Sequence, residues 1–185
     1  MKELIDQFDL VGGLVHAWWN AGWRLLTSAD ILSREWHPGV LTSPARELTE
    51  AVHGPRLLLR GCGVECQLKA IYVSNGGVLA ADGRYISPGG RSHDLVNLAK
   101  AARLQLNPDE QFLLRQLSFW VERGRYPIAT SWARELIDTP QGPVIGQMWD
   151  SERDEAAFNA FRNRLQQIGQ EMAEKAERER PGERS

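Results

Sequence analysis

Residues 56–74, RLLLRGCGVECQLKAIYVS, are apolar around most of a helical circumference. A helix without a wet face has to be surrounded by other elements. The chain is therefore expected to build around this segment as its central, buried helix. Gly61 and Gly63 lie inside it, and each costs a helix interior about 1 kcal/mol. They are tolerable where a neighbouring helix packs close against them. Asn75-Gly76-Gly77 supplies the stop.

The neighbours are also helical in pattern, and β-branched alternation is nearly absent. Leu14, Val15, Trp18, Trp19, Leu25, Leu26, Ile31 and Leu32 recur at steps of three and four. They predict a first helix over 10–36, with a break near Thr27-Ser28. His37-Pro38-Gly39 ends it, since a residue before proline avoids the helical region. Ser43 and Pro44 predict the start of a short helix over 46–53, stopped at Gly54-Pro55. Residues 78–90 read as a loop, and Asp82-Gly83 is a hairpin dipeptide. The fourth helix is expected to begin near His93, capped by Ser92. The fifth has Asn107 as cap, Pro108 at the first position and Glu110 three residues after the cap, the pattern of a capping box. Residues 128–150 read as a loop with one helical turn. Ser151 then opens a last helix whose stripe, Phe158, Phe161, Leu165, Ile168 and Met172, steps by 3, 4, 3 and 4. After Met172 no core residue follows, and fraying is expected.

The sum is an all-α bundle of five to six helices with a long C-terminal helix. The expected organisation is a helical domain over 1–150, a helix over 151–178 packed on that domain or on a partner, and a disordered tail over 179–185. In 185 residues, 42% are hydrophobic and 25% charged, which excludes a wholly disordered or low-complexity chain. No apolar run is long enough to span a membrane, the start MKELIDQFDL is acidic and amphipathic, and a cytoplasmic protein is expected. A net charge of −2 gives no global pull towards nucleic acid. Cys62 and Cys66, four apart and the only cysteines, match neither a redox pair nor a zinc site and read as buried, reduced thiols. Trp18, Trp19 and Trp23 are hard to bury on one helix face. That surface, or the Phe158–Met172 seam, is expected to form a homodimer interface.

Polar residues set in apolar segments are the candidates for chemistry. Glu65 precedes Lys69 by four residues, the favourable order for a helix ion pair, inside the most apolar helix. His93-Asp94 opens the fourth helix. Arg125-Tyr126-Pro127 follows the fifth, where an Arg can grip a carboxylate or phosphate bidentately. Nucleophile-elbow, phosphate-loop, zinc-protease and kinase motifs are absent from the sequence. No metal and no cofactor is expected.

The order GVECQLKAIYV, a Gly-rich loop, SHDLVNLAKAARLQLNPDE and then FWVERGRYP resembles the HEPN superfamily, the higher eukaryote and prokaryote nucleotide-binding domains. Glu65, Lys69, His93, Asp94, Leu95, Gly124, Arg125, Tyr126 and Pro127 carry the resemblance, which covers residues 14–127. It implies an all-α bundle, dimerisation, a cognate protein partner, and a role in RNA processing, toxin–antitoxin pairs or antiviral defence. Active members are metal-independent ribonucleases that use an Arg and, after four to six intervening residues, a His on a late helix. No Arg stands at that spacing before His93, and the only match is Arg46–x6–His53, on an early helix. The resemblance thus implies first a dimerising or partner-binding module. A ribonuclease is the alternative, with His93 and Arg125 as base and cation, or Arg46 and His53 by spacing. A nucleotide or small-ligand binder, with Arg125 and Lys69 holding phosphate, is the third reading, and Glu65, Lys69, Asp94 and Tyr126 are the candidate binding residues.

Overall fold

The computed structural model describes residues 2–37, 44–88, 90, 93–123, 136–139, 142–145, 149–150 and 152–179. The described residues form six helices and two small antiparallel hairpins, so the architecture is all-α in its main elements. In chain order these are α1 (Lys2–Gly12), α2 (Val15–Arg34), α3 (Ala45–Ser74), β1 (Ala80–Ala81), β2 (Arg84–Tyr85), α4 (Leu95–Ala101), α5 (Pro108–Arg123), β3 (Leu136–Thr139), β4 (Gly142–Ile145) and α6 (Arg153–Arg178).

The expected central helix is the centre. α3 packs on α2, α4, α5 and α6, and its Val64, Leu68 and Ile71 join Leu26, Leu95, Leu98, Leu113, Leu114, Leu117, Phe158, Phe161 and Leu165 in one core. The glycines make the approach possible. A Cβ on Gly22 would meet the Gly63 carbonyl at 2.7 Å, and one on Gly63 would meet Leu26 Cγ at 2.7 Å. At Gly61 a Cβ would collide with Val121. Backbone packed this closely gains dispersion contacts that a side chain would prevent.

α3 also corrects the sequence reading. The short helix over 46–53 and the helix from Arg56 are one continuous element, with Pro55 inside it. Proline removes one backbone bond and normally kinks or stops a helix. Here Pro55 and Ala51 both lie on the exposed face, so water reaches the carbonyl that Pro55 leaves unbonded. Val52, Arg56 and Leu57 hold the opposite face in the interior.

The first helix divides at Gly13-Leu14, not near Thr27-Ser28. Leu14 is extended (φ −83°, ψ 103°), and Gly12 sits so close to Ala80 that a Cβ would overlap its side chain. That contact docks α1 on the β1–β2 hairpin, where Asp9 Oδ1 accepts from Gly83 N at 3.1 Å. The hairpin turns through Asp82 (φ 53°) and Gly83 (φ 70°), the two left-handed residues a two-residue turn requires.

The capping box of α5 is present in both directions: Glu110 N donates to Asn107 Oδ1, and Asn107 N to Glu110 Oε2, each at 2.9 Å. The cap of α4 is Asp94, whose Oδ1 accepts from Asn97 N at 2.9 Å; Ser92, expected in that role, lies outside the described residues. Between residues 128 and 150 a hairpin, β3–β4, stands where a loop with a helical turn was expected. α6 continues helically to Arg178 and does not fray after Met172. Its apolar stripe is used within the chain: Phe158, Phe161 and Leu165 enter the core, and Ile168 and Met172 pack on it. The Phe158–Met172 seam is therefore not an open interface. No helix of the described residues is long and apolar enough to cross a membrane.

Candidate functional site

Four elements meet around Glu65. α3 carries Glu65 and, one turn on, Lys69; His93 stands just before α4; α2 contributes Trp18 and β2 Tyr85. Glu65 is 7% exposed. Its Oε1 takes Lys69 Nζ at 2.7 Å and its Oε2 takes His93 Nδ1 at 2.9 Å. An ionised carboxylate only accepts, so Nδ1 carries the proton of this bond. The Lys69 ammonium lies 4.9 Å from the Trp18 ring centre and 5.1 Å from that of Tyr85. Its alkyl stem is buried while its charge faces two π-systems.

The charges here are held, not neutralised. Burial pushes the Glu65 carboxyl up, but the bonds from Lys69 and His93 outweigh it and bring it below the ordinary range. Burial likewise lowers Lys69, but Glu65 and the Tyr85 hydroxyl raise it above its usual value. His93 has left-handed backbone (φ 68°), costing a residue with a Cβ about 1–2 kcal/mol. Its bond to Glu65 offsets that cost and aims the ring.

The structure thus brings Glu65, Lys69 and His93 together. Asp94 is adjacent in sequence but spent on the α4 cap, its second oxygen accepting from Asn97 Nδ2 at 2.8 Å. Arg125 and Tyr126 lie outside the described residues. Arg46 and His53, the pair picked by spacing, do not form a site. Arg46 is exposed and bonded to Glu50 at 2.8 Å. His53 packs between Trp36 (centroids 5.8 Å apart) and Trp120 (5.6 Å, edge-on). Burial, followed by the nearby Arg56 charge, lowers its pKa, so it is neutral.

Sequence reasoning missed a second polar cluster on α3. Arg56 and Arg60, 0% and 3% exposed, each donate an Nη1 to Glu155 Oε1 at 2.6 Å. Trp149 Nε1 donates to the same oxygen at 2.9 Å. Arg56 stacks on Trp36, its guanidinium carbon 3.7 Å from the ring centre. Burial, then repulsion from Arg60, lowers the Arg56 pKa to about 10. The available signal was the segment RLLLR, in which two Arg four apart share a helix face. Cys62 and Cys66, expected to be buried, are half-buried thiols outside any disulfide, and burial raises Cys66 to about 11.

Among the described residues no three His, Cys, Asp or Glu side chains gather as a metal set. A depression of about 500 Å³ lined by Lys100, Arg103, Leu104, Gln105, Leu106 and Gln111 includes none of the residues named above. No family model, no curated protein and no solved structure matches this chain.

Proposed function

We propose that the chain is an HEPN-like helical module that works by self-association, pairing two copies and through them engaging a cognate protein of a defence or toxin–antitoxin system. The observation that carries this reading is the outer face of α1. Leu4, Phe8 and Val11, at steps of four and three, are 69%, 47% and 52% exposed. The adjoining side of the helix, through Ile5, Asp9 and Gly12, is already seated on the hairpin. A seated helix that still presents an apolar stripe is suited to a further protein contact. α1 carries Glu3, Asp6 and Asp9 against a single Lys2, which disfavours an anionic membrane surface. The state of Arg46 and His53 supports the same reading, since neither is placed to handle a phosphodiester.

Sedimentation of the full chain over a micromolar range tests it. A concentration-dependent dimer that Phe8→Glu converts to monomer is the expected result. A monomer throughout the range, indifferent to Phe8→Glu, removes the self-association reading.

One observation favours ribonuclease as the second reading. The Glu65–His93 pair orients a part-exposed imidazole as a general base, beside the Lys69 cation. Incubation with mixed RNA and a chelator separates the two. Cleavage abolished in His93→Ala would support the catalytic reading; no cleavage leaves the module.

A further inference from the structure

The cluster at the start of the buried stretch of α3 has more positive charge and more donors than its single carboxylate can satisfy. Two guanidinium groups converge on one oxygen of Glu155, which leaves one cation in excess. Arg56 Nε, Arg56 Nη2 and Arg60 Nε are buried without a hydrogen-bond partner among the described residues. All three are donors, and they belong to two guanidiniums whose ion-pair bonds converge on one carboxylate oxygen. An unpaired buried donor costs about 1–3 kcal/mol, and more when charged. Several at one place call for an anion that brings several acceptor oxygens at once.

We infer that this cluster is an oxyanion site, taking a phosphate-type group on Arg56 and Arg60 beside Glu155. The elements suit that task. Arg56 and Arg60 are locked by rings, Arg56 on Trp36 and Arg60 over Phe158 at 4.2 Å, so their donors are pre-organised. A guanidinium offers paired donors that match the spacing of phosphate oxygens. The cluster is not sealed: His53 and Trp36 are half-buried at its edge, and the Glu155 side chain is 21% exposed. The neutral His53 ring adds no negative charge. The site is separate from the Glu65 group. Nine residues divide Arg56 from Glu65, which on a helix is about half a turn in direction and about 13 Å in length.

The chemistry is common to free inorganic phosphate and to the phosphoryl end of a nucleotide, and one experiment separates the sources. Thermal unfolding of the full chain is followed in phosphate-free buffer against rising inorganic phosphate, adenosine monophosphate, or chloride at matched ionic strength. Binding to the folded state raises Tm with ligand concentration, so phosphate or the nucleotide is expected to raise it and chloride is not. The larger response identifies the source. Arg56→Met is expected to weaken the apparent affinity by about tenfold to a hundredfold, the loss of a charge-assisted bond. Should Arg56→Met fail to fold, Arg56→Lys keeps the charge, removes the paired donors and is expected to lose about severalfold. Glu155→Gln, which leaves both guanidiniums without a carboxylate, should depend more strongly on phosphate than the wild type. A wild-type Tm that responds to phosphate no more than to chloride overturns the inference. So does a response that Arg56→Met, or in its absence Arg56→Lys, leaves intact.

Discussion

Replacing Glu65 by alanine removes the one acceptor shared by Lys69 and His93. The Lys69 side chain is only 12% exposed, so its ammonium cannot regain full hydration without leaving the Trp18 and Tyr85 rings. Breaking a buried pair from one side costs about 3–5 kcal/mol. The lower end, about 3 kcal/mol, applies here, because the Tyr85 ring stays beside Lys69 and His93 is part-exposed. Against a typical total of about 5–15 kcal/mol, that loss is large. Glu65→Gln keeps the shape and one acceptor, and should cost about 1–2 kcal/mol. The pH dependence has a definite sign. The folded Glu65 carboxyl lies below its ordinary value, so its stabilisation is present above the unfolded carboxylate pKa of about 4.3 and is lost as pH falls through the folded value. Urea unfolding of wild type and both variants, repeated at neutral and acidic pH, measures this directly. The wild-type advantage over Glu65→Gln should shrink below about pH 4. A Glu65→Ala loss under about 1 kcal/mol, or an advantage that does not change with pH, would refute the buried-pair reasoning.

Three further outcomes are expected. Gly22→Ala should destabilise by about 2 kcal/mol despite better helix propensity, because its Cβ would meet the Gly63 carbonyl at 2.7 Å and backbone cannot step aside; denaturant midpoints check it. Pro55→Ala should stabilise by about 1 kcal/mol, since the face is exposed and the backbone bond is restored; a drop in Tm would show that α3 needs the proline. At pH 8 Cys66 should alkylate about a hundredfold more slowly than an ordinary thiol, because its pKa of about 11 leaves little thiolate; mass spectrometry resolves it from Cys62.

Features set by a few adjacent residues were legible in the sequence. The α5 capping box and the Asp82-Gly83 turn are each complete within four residues, so the adjacent residue types are enough to predict them. Glu65, Lys69 and His93 were legible for a different reason: each is a charged or polar group in an apolar setting, and such groups seek each other. Pro55 misled because proline stops a helix only where its lost bond cannot be replaced, and exposure is a tertiary property. The split at Gly13 depends on Ala80, and the β3–β4 hairpin on pairing that the residue types there barely favour. Arg56 and Arg60 were overlooked because charged residues at the ends of an apolar run resemble solvated flanks. Only Glu155, 99 and 95 residues away, shows otherwise.

That separation also orders events during synthesis. Ribosomes add about 5–20 residues per second, so Glu155 emerges about 5–20 s after Arg56. α2 and α3 can pair in the meantime through contacts close in sequence. The two guanidiniums then have no carboxylate, and Leu57, Val64 and Leu68 await α5 and α6. The nascent chain passes through a stage in which its innermost helix is both sticky and positively charged. A chain stopped before Glu155 should stay in that stage, bind chaperones or anionic polymers, and resist isolation in soluble form.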